Sequence, residues 1–254
     1  VQYLEQETGF SMRQVFPDTF AEHLEMVERG EIDISYANPF IYLKLAAGGS
    51  TAFARIIEPS GEPHFRGQII VRSGNPAIHR IGDCLGKRWI AVDPGSAGGY
   101  LFPLGLFLEH AIGLDDFAEV AFAPGPGGKQ EKVVLAVHAG VFDIGTIREG
   151  TLDLLADKID LNEIRVLAET RSYPGWVYSA RPGLDKEIVD RISRAMFALD
   201  LNDPDHAVIL GAANIRGIIP STDPDYDPVR ELVSTIDAAM EDVQGPSAEW
   251  GRPQ

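Results

Sequence analysis

The hydrophobic positions of this 254-residue chain follow two periods, one typical of helices and one typical of strands. Helices are predicted over residues 2–8, 19–29, 40–47, 99–110, 130–138, 186–199 and 228–243. Strands are predicted over residues 12–16, 32–36, 51–57, 67–71, 88–92, 119–123 and 141–144. Because strands alternate with helices along most of the chain, the pattern predicts an α/β protein with parallel sheets. Ligands on such sheets usually lie beyond the carboxyl ends of the strands.

The order of these segments also indicates two lobes. Residues 65–72 and 173–181 are predicted to cross between the halves. We therefore expect a discontinuous first lobe of residues 1–72 and 178–254, and an inserted second lobe of residues 73–177, with a cleft and two hinge strands. The first lobe lacks a leading strand before its first helix, so the natural chain is expected to begin before Val1. The polar Pro/Gly-rich tail, residues 245–254, is predicted to be mobile.

Composition excludes several classes of function. The net charge of −16 argues against a nucleic-acid partner, which requires a basic face. No apolar run approaches the roughly 20 residues that span a bilayer, and no leader is present, so an exported protein would already have lost its signal peptide. The single cysteine, Cys84, excludes an internal disulfide, and the six histidines show no spacing typical of a metal site. We expect neither a metal nor a cofactor.

The most informative segment reads DPGSAGGYLFP, residues 93–103, and joins a predicted buried strand to a predicted helix. The first N–H groups of a helix lack internal partners and carry a partial positive charge, so Ser96, Ala97 and Gly98 would suit an anion. An ordinary strand-to-helix turn explains the same spacing equally well. The segment matches neither the dinucleotide fingerprint nor a phosphate-binding loop, so it implies no nucleotide.

With these segments in place, the chain resembles the phosphonate/phosphite/phosphate-type substrate-binding proteins of ABC importers nearly end to end. The resemblance depends on GKR at 86–88 leading to the 93–103 segment, on FDIG at 142–145 after a helix that ends at Gly140, and on DYDPVR at 225–230. It implies the type II periplasmic binding protein fold, with two Rossmann-like lobes joined by two hinge strands. It also implies a periplasmic monomer without catalytic activity that delivers a small oxyanion to an ABC permease.

The resemblance further implies which residues contact the ligand. They are Ser96, Ala97, Gly98, Gln130, Thr146, Arg148, Phe20, Phe65 and Trp176. Phosphonate binders typically read DPNSTSG here, and this chain lacks two of those hydroxyl groups, so phosphonate binding would weaken unless other donors replace them. We expect a small oxyanion, either of phosphorus or of sulfur. Gly150 and Trp176 stand where aminoalkylphosphonate binders have carboxylates, so an amino-bearing ligand is disfavoured.

Several alternatives remain open at this point. The stretch DIGTIR at 143–148 is similar to periplasmic sensor domains of tetrathionate-sensing kinases, so the ligand would instead be reported to a histidine kinase. Three residues also have an interpretation without a ligand contact. In that case Arg148 pairs with the adjacent Glu149, Trp176 packs at a hinge, and Phe20 belongs to a core. Cys84 is interpreted as a small buried hydrophobe, with an arsenite-binding thiol as the alternative.

Overall fold

The computed structural model describes residues 1–244, with side chains through residue 240. The tail predicted to be mobile lies outside these residues. The helices are α1 Gln2–Thr8, α2 Phe20–Glu28, α3 Pro39–Ala47, α4 Phe102–Glu109, α5 Lys129–His138, α6 Lys186–Phe197, α7 Pro204–Ala212 and α8 Asp227–Gln244. The strands are β1 Ile34–Ala37, β2 Thr51–Ile57, β3 His64–Phe65, β4 Gly67–Arg72, β5 Arg88–Ala91, β6 Glu119–Phe122, β7 Ile144–Arg148, β8 Ile164–Glu169, β9 Tyr173–Pro174, β10 Val177–Ala180 and β11 Gly217–Pro220.

Most predicted elements are present, with bounds that shift by a few residues. The predicted strand at residues 12–16 is wrong, because this segment has no regular structure. Its Phe16 is 78% exposed, and the backbone N–H of Met12 donates to the carboxylate of Glu5 rather than to a strand. The strand predicted at 141–144 begins only at Ile144 and runs on to Arg148. The sequence pattern missed α7, β8 and β11.

The chain divides into two compact units. Unit 1 comprises Val1–His64 and Pro174–Val229, and unit 2 comprises Phe65–Tyr173 together with residues 230–244. These bounds differ from those of the predicted lobes chiefly in α8, most of which belongs to unit 2. The close packing of Leu232 explains that difference, since a Cβ at Gly105 of α4 would lie 2.3 Å from its Cδ1 atom.

Unit 1 contains a four-stranded sheet in the order β1-β10-β2-β11. Each neighbouring pair in it is antiparallel, so the prediction of a parallel sheet is wrong for this unit. The late strand β10 inserts between β1 and β2 and separates two strands that would otherwise pair in parallel. Side chains of α2, of α3, of β1 and of the residues just before β1 form one apolar cluster of this unit, which contains Val27, Ile32, Ala37, Ile41 and Leu45.

Unit 2 contains a five-stranded sheet in the order β6-β5-β7-β4-β8. Here β5 pairs in parallel with both β6 and β7, whereas β4 is antiparallel to β7 and β8. Because β6, β5 and β7 run in the same direction, the segments that follow them meet at one edge of the sheet. Those segments are the 93–103 turn after β5, the start of α5 after β6, and Arg148 at the end of β7.

No helix within residues 1–244 combines the length and the apolar character needed to cross a bilayer. In the same residues, no group of three or more His, Cys, Asp or Glu side chains is arranged to hold a metal ion.

Candidate anion-binding site

The turn after β5 is the centre of the candidate site. Residues Ala97–Leu101 form one turn of π-helix that continues directly into α4. Ser96 caps this turn and is 7% exposed, and Ala97 to Leu101 are buried. The start of the turn is therefore shielded from bulk water.

Hydrogen bonds within the turn account for three of its five N–H groups between Gly95 and Gly99. The N–H of Gly95 donates to Asp93 Oδ1 at 2.8 Å, and the N–H of Ser96 donates to the Asp93 carbonyl at 2.9 Å. The N–H of Gly99 donates to Ser96 Oγ at 3.1 Å. Among the described residues, the N–H groups of Ala97 and Gly98 have no acceptor. The turn therefore presents two consecutive donors, as a helix start that binds an anion does.

Ser96 contributes a third donor. Because its hydroxyl oxygen accepts the N–H of Gly99, the hydroxyl hydrogen remains available for another acceptor. The cap that the structure shows and the ligand contact predicted from the sequence are therefore compatible in one side chain.

Asp93 and Lys129 brace the turn from outside. One carboxylate oxygen of Asp93 holds the N–H of Gly95, and the other contacts the ammonium group of Lys129 at the start of α5. The sequence interpretation missed this pair. Asp followed by Pro-Gly is a recognised turn signal, because an Asp side chain accepts the N–H two residues later, and that signal would have identified Asp93.

Gly98 is packed too closely for any side chain. A Cβ at this position would lie 2.8 Å from Cε2 of Phe65 and 3.0 Å from Cβ of Arg148. The guanidinium carbon of Arg148 in turn lies 5.0 Å from the centroid of the Phe65 ring, a cation–π contact. The structure thus brings together three of the predicted residues. Phe65 is only 1% exposed and packs against the other two.

Gln130, in the first turn of α5, also reaches this group. Its Oε1 accepts the backbone N–H of Arg148 at 3.0 Å. This hydrogen bond fixes the orientation of the carboxamide, since only the oxygen can accept an N–H. The side-chain NH₂ group of Gln130 is consequently the end that can donate to a ligand.

Thr146 occupies a different place from the one predicted. It is fully buried, its hydroxyl donates to the carbonyl of Gly99 at 2.7 Å, and its oxygen accepts the indole N–H of Trp89 at 2.9 Å. With its only hydrogen engaged, Thr146 cannot also donate to an anion. Its hydroxyl hydrogen instead holds the Gly99 carbonyl of the turn.

The two predicted ligand contacts in unit 1 have apolar surroundings. Phe20 packs against the cluster formed by α2, α3 and β1, which is the core role weighed above. Trp176 is half-buried, and its ring lies 5.0 Å from that of Tyr36, which stacks on Tyr178 at 4.7 Å. Burial raises the pKa of Tyr178 to about 12, so this phenol stays protonated. The sequence interpretation missed Tyr36 and Tyr178 as neighbours of Trp176.

Two further groups in unit 2 clarify the alternatives. Glu149 accepts the backbone N–H of Arg66 at 3.0 Å and forms an ion pair with the Arg66 guanidinium, while burial raises the pKa of its carboxyl group. Cys84 is fully buried, and burial raises the pKa of its thiol to about 12. A thiol in that state is a poor nucleophile and metal ligand, as expected for a small buried hydrophobe.

Comparison with known sequences gives a consistent result. A family model described as "ABC transporter, phosphonate, periplasmic substrate-binding protein" matches residues 1–226. Over 250 aligned residues the chain is 27% identical to the phosphate-import protein PhnD of Mycolicibacterium smegmatis, covering 91% of this chain and 78% of that protein. Over 189 residues it is 22% identical to the tetrathionate sensor histidine kinase TtrS of Salmonella typhimurium. That second match covers 68% of this chain and only 31% of the kinase.

Comparison with solved structures concerns the fold. The chain superposes with a TM-score of 0.82 on the binding protein component of an ABC phosphonate transporter from Pseudomonas aeruginosa. The match covers 98% of this chain and 83% of the other, at 17% sequence identity. The predicted type II periplasmic binding protein fold is confirmed by this likeness and by likenesses to sulfonate-binding proteins.

Proposed function

We propose, from the premise that this chain belongs to the family of periplasmic substrate-binding proteins of phosphonate ABC transporters, that it captures a small oxyanion at the Ser96 turn and delivers it to a membrane ABC permease. The family resemblance expected from the sequence, including the similarity to tetrathionate-sensing kinases, is confirmed. The relatives are described as import and sensor proteins rather than as enzymes acting on the bound solute. The role proposed here is accordingly binding, without chemistry on the ligand.

One observation carries the proposal: the turn leaves two consecutive amide donors, on Ala97 and Gly98, beside the hydroxyl of Ser96. Each hydrogen bond to a charged group contributes about 1.5–3 kcal/mol. Three such bonds supply about 4.5–9 kcal/mol, which is comparable with the roughly 8 kcal/mol of a micromolar complex. The donors on the turn are thus sufficient in number for specific binding of an anion.

Gln130 and Arg148 extend the donor set. The NH₂ group of Gln130 is oriented by the Arg148 N–H, and the Arg148 guanidinium is held over the Phe65 ring. A guanidinium suits two oxygens of a tetrahedral or pyramidal oxyanion. These groups fit phosphate, phosphite and phosphonate as well as oxyanions of sulfur, and they leave the choice between phosphorus and sulfur to experiment.

The proposal also includes the setting of the protein. The family is periplasmic, and we place this chain outside the cytoplasm as a monomer. Because the Ser96 turn is buried, ligand entry requires an opening motion, and hinge motion between two lobes is the mechanism typical of this fold. Phe20 and Trp176 of unit 1 remain candidate ligand contacts on the family resemblance alone.

Isothermal titration calorimetry against phosphate, phosphite, methylphosphonate, sulfite, thiosulfate and tetrathionate tests the proposal. We expect at least one of these anions to bind with a dissociation constant in the micromolar range or below. If none binds to the folded protein, the Ser96 turn is not an anion site and the proposal is wrong.

A second candidate function is sensing, which the match to the TtrS kinase favours. In that case the same binding event would be reported to a histidine kinase. Neighbouring genes distinguish the two roles, because a permease and an ATPase indicate import, whereas a kinase and a response regulator indicate signalling. Binding of tetrathionate in preference to the phosphorus anions would further support the sensory role.

A further inference from the structure

We propose that Thr146 is a positioning residue for anion binding, acting through the carbonyl of Gly99 in a hydrogen-bonded chain that runs from Trp89 to Thr146 to Gly99. This inference rests on the function proposed above. It assigns to the buried core of unit 2 the task of holding two amide donors in place before a ligand arrives.

The peptide groups on both sides of Gly99 are held at each end. The N–H of Gly99 donates to Ser96 Oγ, and its carbonyl accepts both the Thr146 hydroxyl at 2.7 Å and the Val92 N–H at 3.3 Å. A Cβ at Gly99 would lie 2.3 Å from Cγ2 of Val92, so this backbone lies directly against strand β5 and its continuation. Rotation of the turn would break these contacts.

The direction of the chain of hydrogen bonds is fixed by chemistry. The indole N–H of Trp89 can only donate, so Thr146 must accept it and must send its own hydrogen to the Gly99 carbonyl. Trp89 is itself immobilised, because its ring is fully buried and lies 5.1 Å from Phe107 and 5.0 Å from Phe117. The aromatic core thereby sets the position of Gly99, one residue after the second amide donor.

Such an arrangement reduces what binding costs. An anion that meets donors already in position does not have to order the turn, so the interaction energy appears as affinity. Removal of the Thr146 hydroxyl would leave both the Trp89 N–H and one lone pair of Gly99 without this partner. The turn would then relax, and affinity would fall although Thr146 never contacts the ligand.

The test compares Thr146→Val, Thr146→Ser and the wild type, with anion affinity measured by calorimetry well below the melting temperature. We expect Thr146→Val to weaken the tightest-binding anion of the panel about tenfold or more, as loss of about 1.4 kcal/mol would do. Thr146→Ser keeps the hydroxyl, and its affinity should stay within about threefold of the wild type, less than 1 kcal/mol. If Thr146→Val does not fold, Thr146→Cys, with its weak S–H donor, replaces it and should lose at least about threefold.

Thr8→Val is the matched control. Thr8 is also buried, accepts the N–H of Phe10 and donates to the Leu4 carbonyl, but it lies in α1 of unit 1. Both valine variants should lower the melting temperature, and only the one at Thr146 should lower affinity. Unchanged affinity in folded Thr146→Val would overturn the proposal, as would equal losses in Thr146→Val and Thr8→Val.

Failure of the proposed function is distinguishable from failure of this inference. If the wild type binds no anion of the panel, amide hydrogen exchange still reports on the turn. Faster exchange of the Gly99 N–H in Thr146→Val than in Thr146→Ser would support the positioning role, and equal rates would contradict it.

Discussion

Within residues 1–244, two strand-to-helix turns of similar appearance, one in each unit, differ in which of their first N–H groups find an acceptor. In unit 1, Asn38 precedes Pro39 at the start of α3, and its Oδ1 accepts the N–H of Phe40 at 2.9 Å and of Ile41 at 3.1 Å. Pro39 has no N–H. In unit 2, the side-chain oxygen of Ser96 accepts the N–H of the third residue after it, Gly99.

The difference shows why a helix start is not in itself an anion site. In the Asn38 turn, the Asn38 side chain accepts the early N–H groups of α3, and the first helical position is Pro39, which has no N–H. The Ser96 turn satisfies the third donor and leaves the first two without an acceptor among residues 1–244. A short serine side chain and the absence of proline at the first helical position together produce this contrast.

Gly98→Ala is the change with the largest expected effect on this contrast. The new Cβ would lie within 3.0 Å of both Phe65 and Arg148, so one of them or the turn must move. We expect anion affinity to fall about 100-fold or more, equivalent to about 2.7 kcal/mol, and stability to fall by about 1–3 kcal/mol. Calorimetry and chemical denaturation measure the two effects separately.

Gly82→Ala is the control for this change. A Cβ at Gly82 would meet no atom within 4 Å, and the residue has no positive φ. Its affinity and stability should match those of the wild type. Retained affinity in Gly98→Ala would place the ligand elsewhere.

Ser96→Ala should have the next largest effect. It removes the cap of the Gly99 N–H and a donor to the anion together. The lost cap costs about 0.5–2 kcal/mol of stability. The lost contact with a charged ligand costs about 1.5–3 kcal/mol, or about 10- to 150-fold in affinity. A loss of stability alone would mean that the hydroxyl is only a cap.

Asn38→Ala, in unit 1, should lower stability without lowering anion affinity. Two buried N–H groups lose their acceptor, and we expect stability to fall by about 1–2 kcal/mol with anion affinity unchanged within about twofold. Denaturation and calorimetry on the same preparation check both parts. A large loss of affinity would show that the Asn38 turn also contributes to the site.

The sequence was sufficient to predict the Ser96 turn but not its environment. The helix start and the glycines are local features, and DPGSAGG displays them directly. The sheet topology of unit 1 depends on β10, a strand remote in sequence from its neighbours β1 and β2, so local periodicity could not reveal the antiparallel pairing.

The site shows the same limit at the level of single residues. Thr146 follows the strand predicted at residues 141–144 and is predicted to contact the ligand, but its hydroxyl accepts the indole N–H of Trp89, which is 57 positions away. Nothing in the spacing of these residues indicates that contact. Gln130 and Arg148 were predicted by family resemblance, and their mutual hydrogen bond became visible only once β7 and α5 were placed together.

A smaller effect is expected in the pH dependence of stability, through a histidine of unit 1. His23 contacts Ser35 of β1, the strand that leads to Asn38, and burial lowers the pKa of its imidazole. A histidine with a lowered pKa in the folded state adds stability above its unfolded pKa of about 6.5, and that stability is lost as the pH falls. We expect His23→Gln to be less sensitive than the wild type between pH 7.5 and pH 5.5.

Denaturation at the two pH values measures this difference. Burial also lowers the pKa of His64, so some acid sensitivity should persist in the variant. Identical pH dependence of wild type and variant would exclude His23 as a source. His23 lies in unit 1, whereas the Ser96 turn lies in unit 2. We therefore expect the affinity for a sulfur oxyanion that stays ionised over this pH range not to follow the pH dependence of stability.

Thiol labelling of Cys84 is the test with the smallest expected effect, and it addresses the alternative that a thiol of unit 2 binds the ligand. Its thiol is fully buried and its pKa is raised to about 12, so at pH 8 almost none of it is the reactive thiolate. A thiol reagent should therefore leave the folded protein unmodified over hours and label it fully in denaturant. If the folded protein is labelled rapidly and arsenite blocks the labelling, the Cys84 thiol and not the amides of the Ser96 turn would be the ligand-binding group. The difference between the two helix starts would then affect stability and not anion binding.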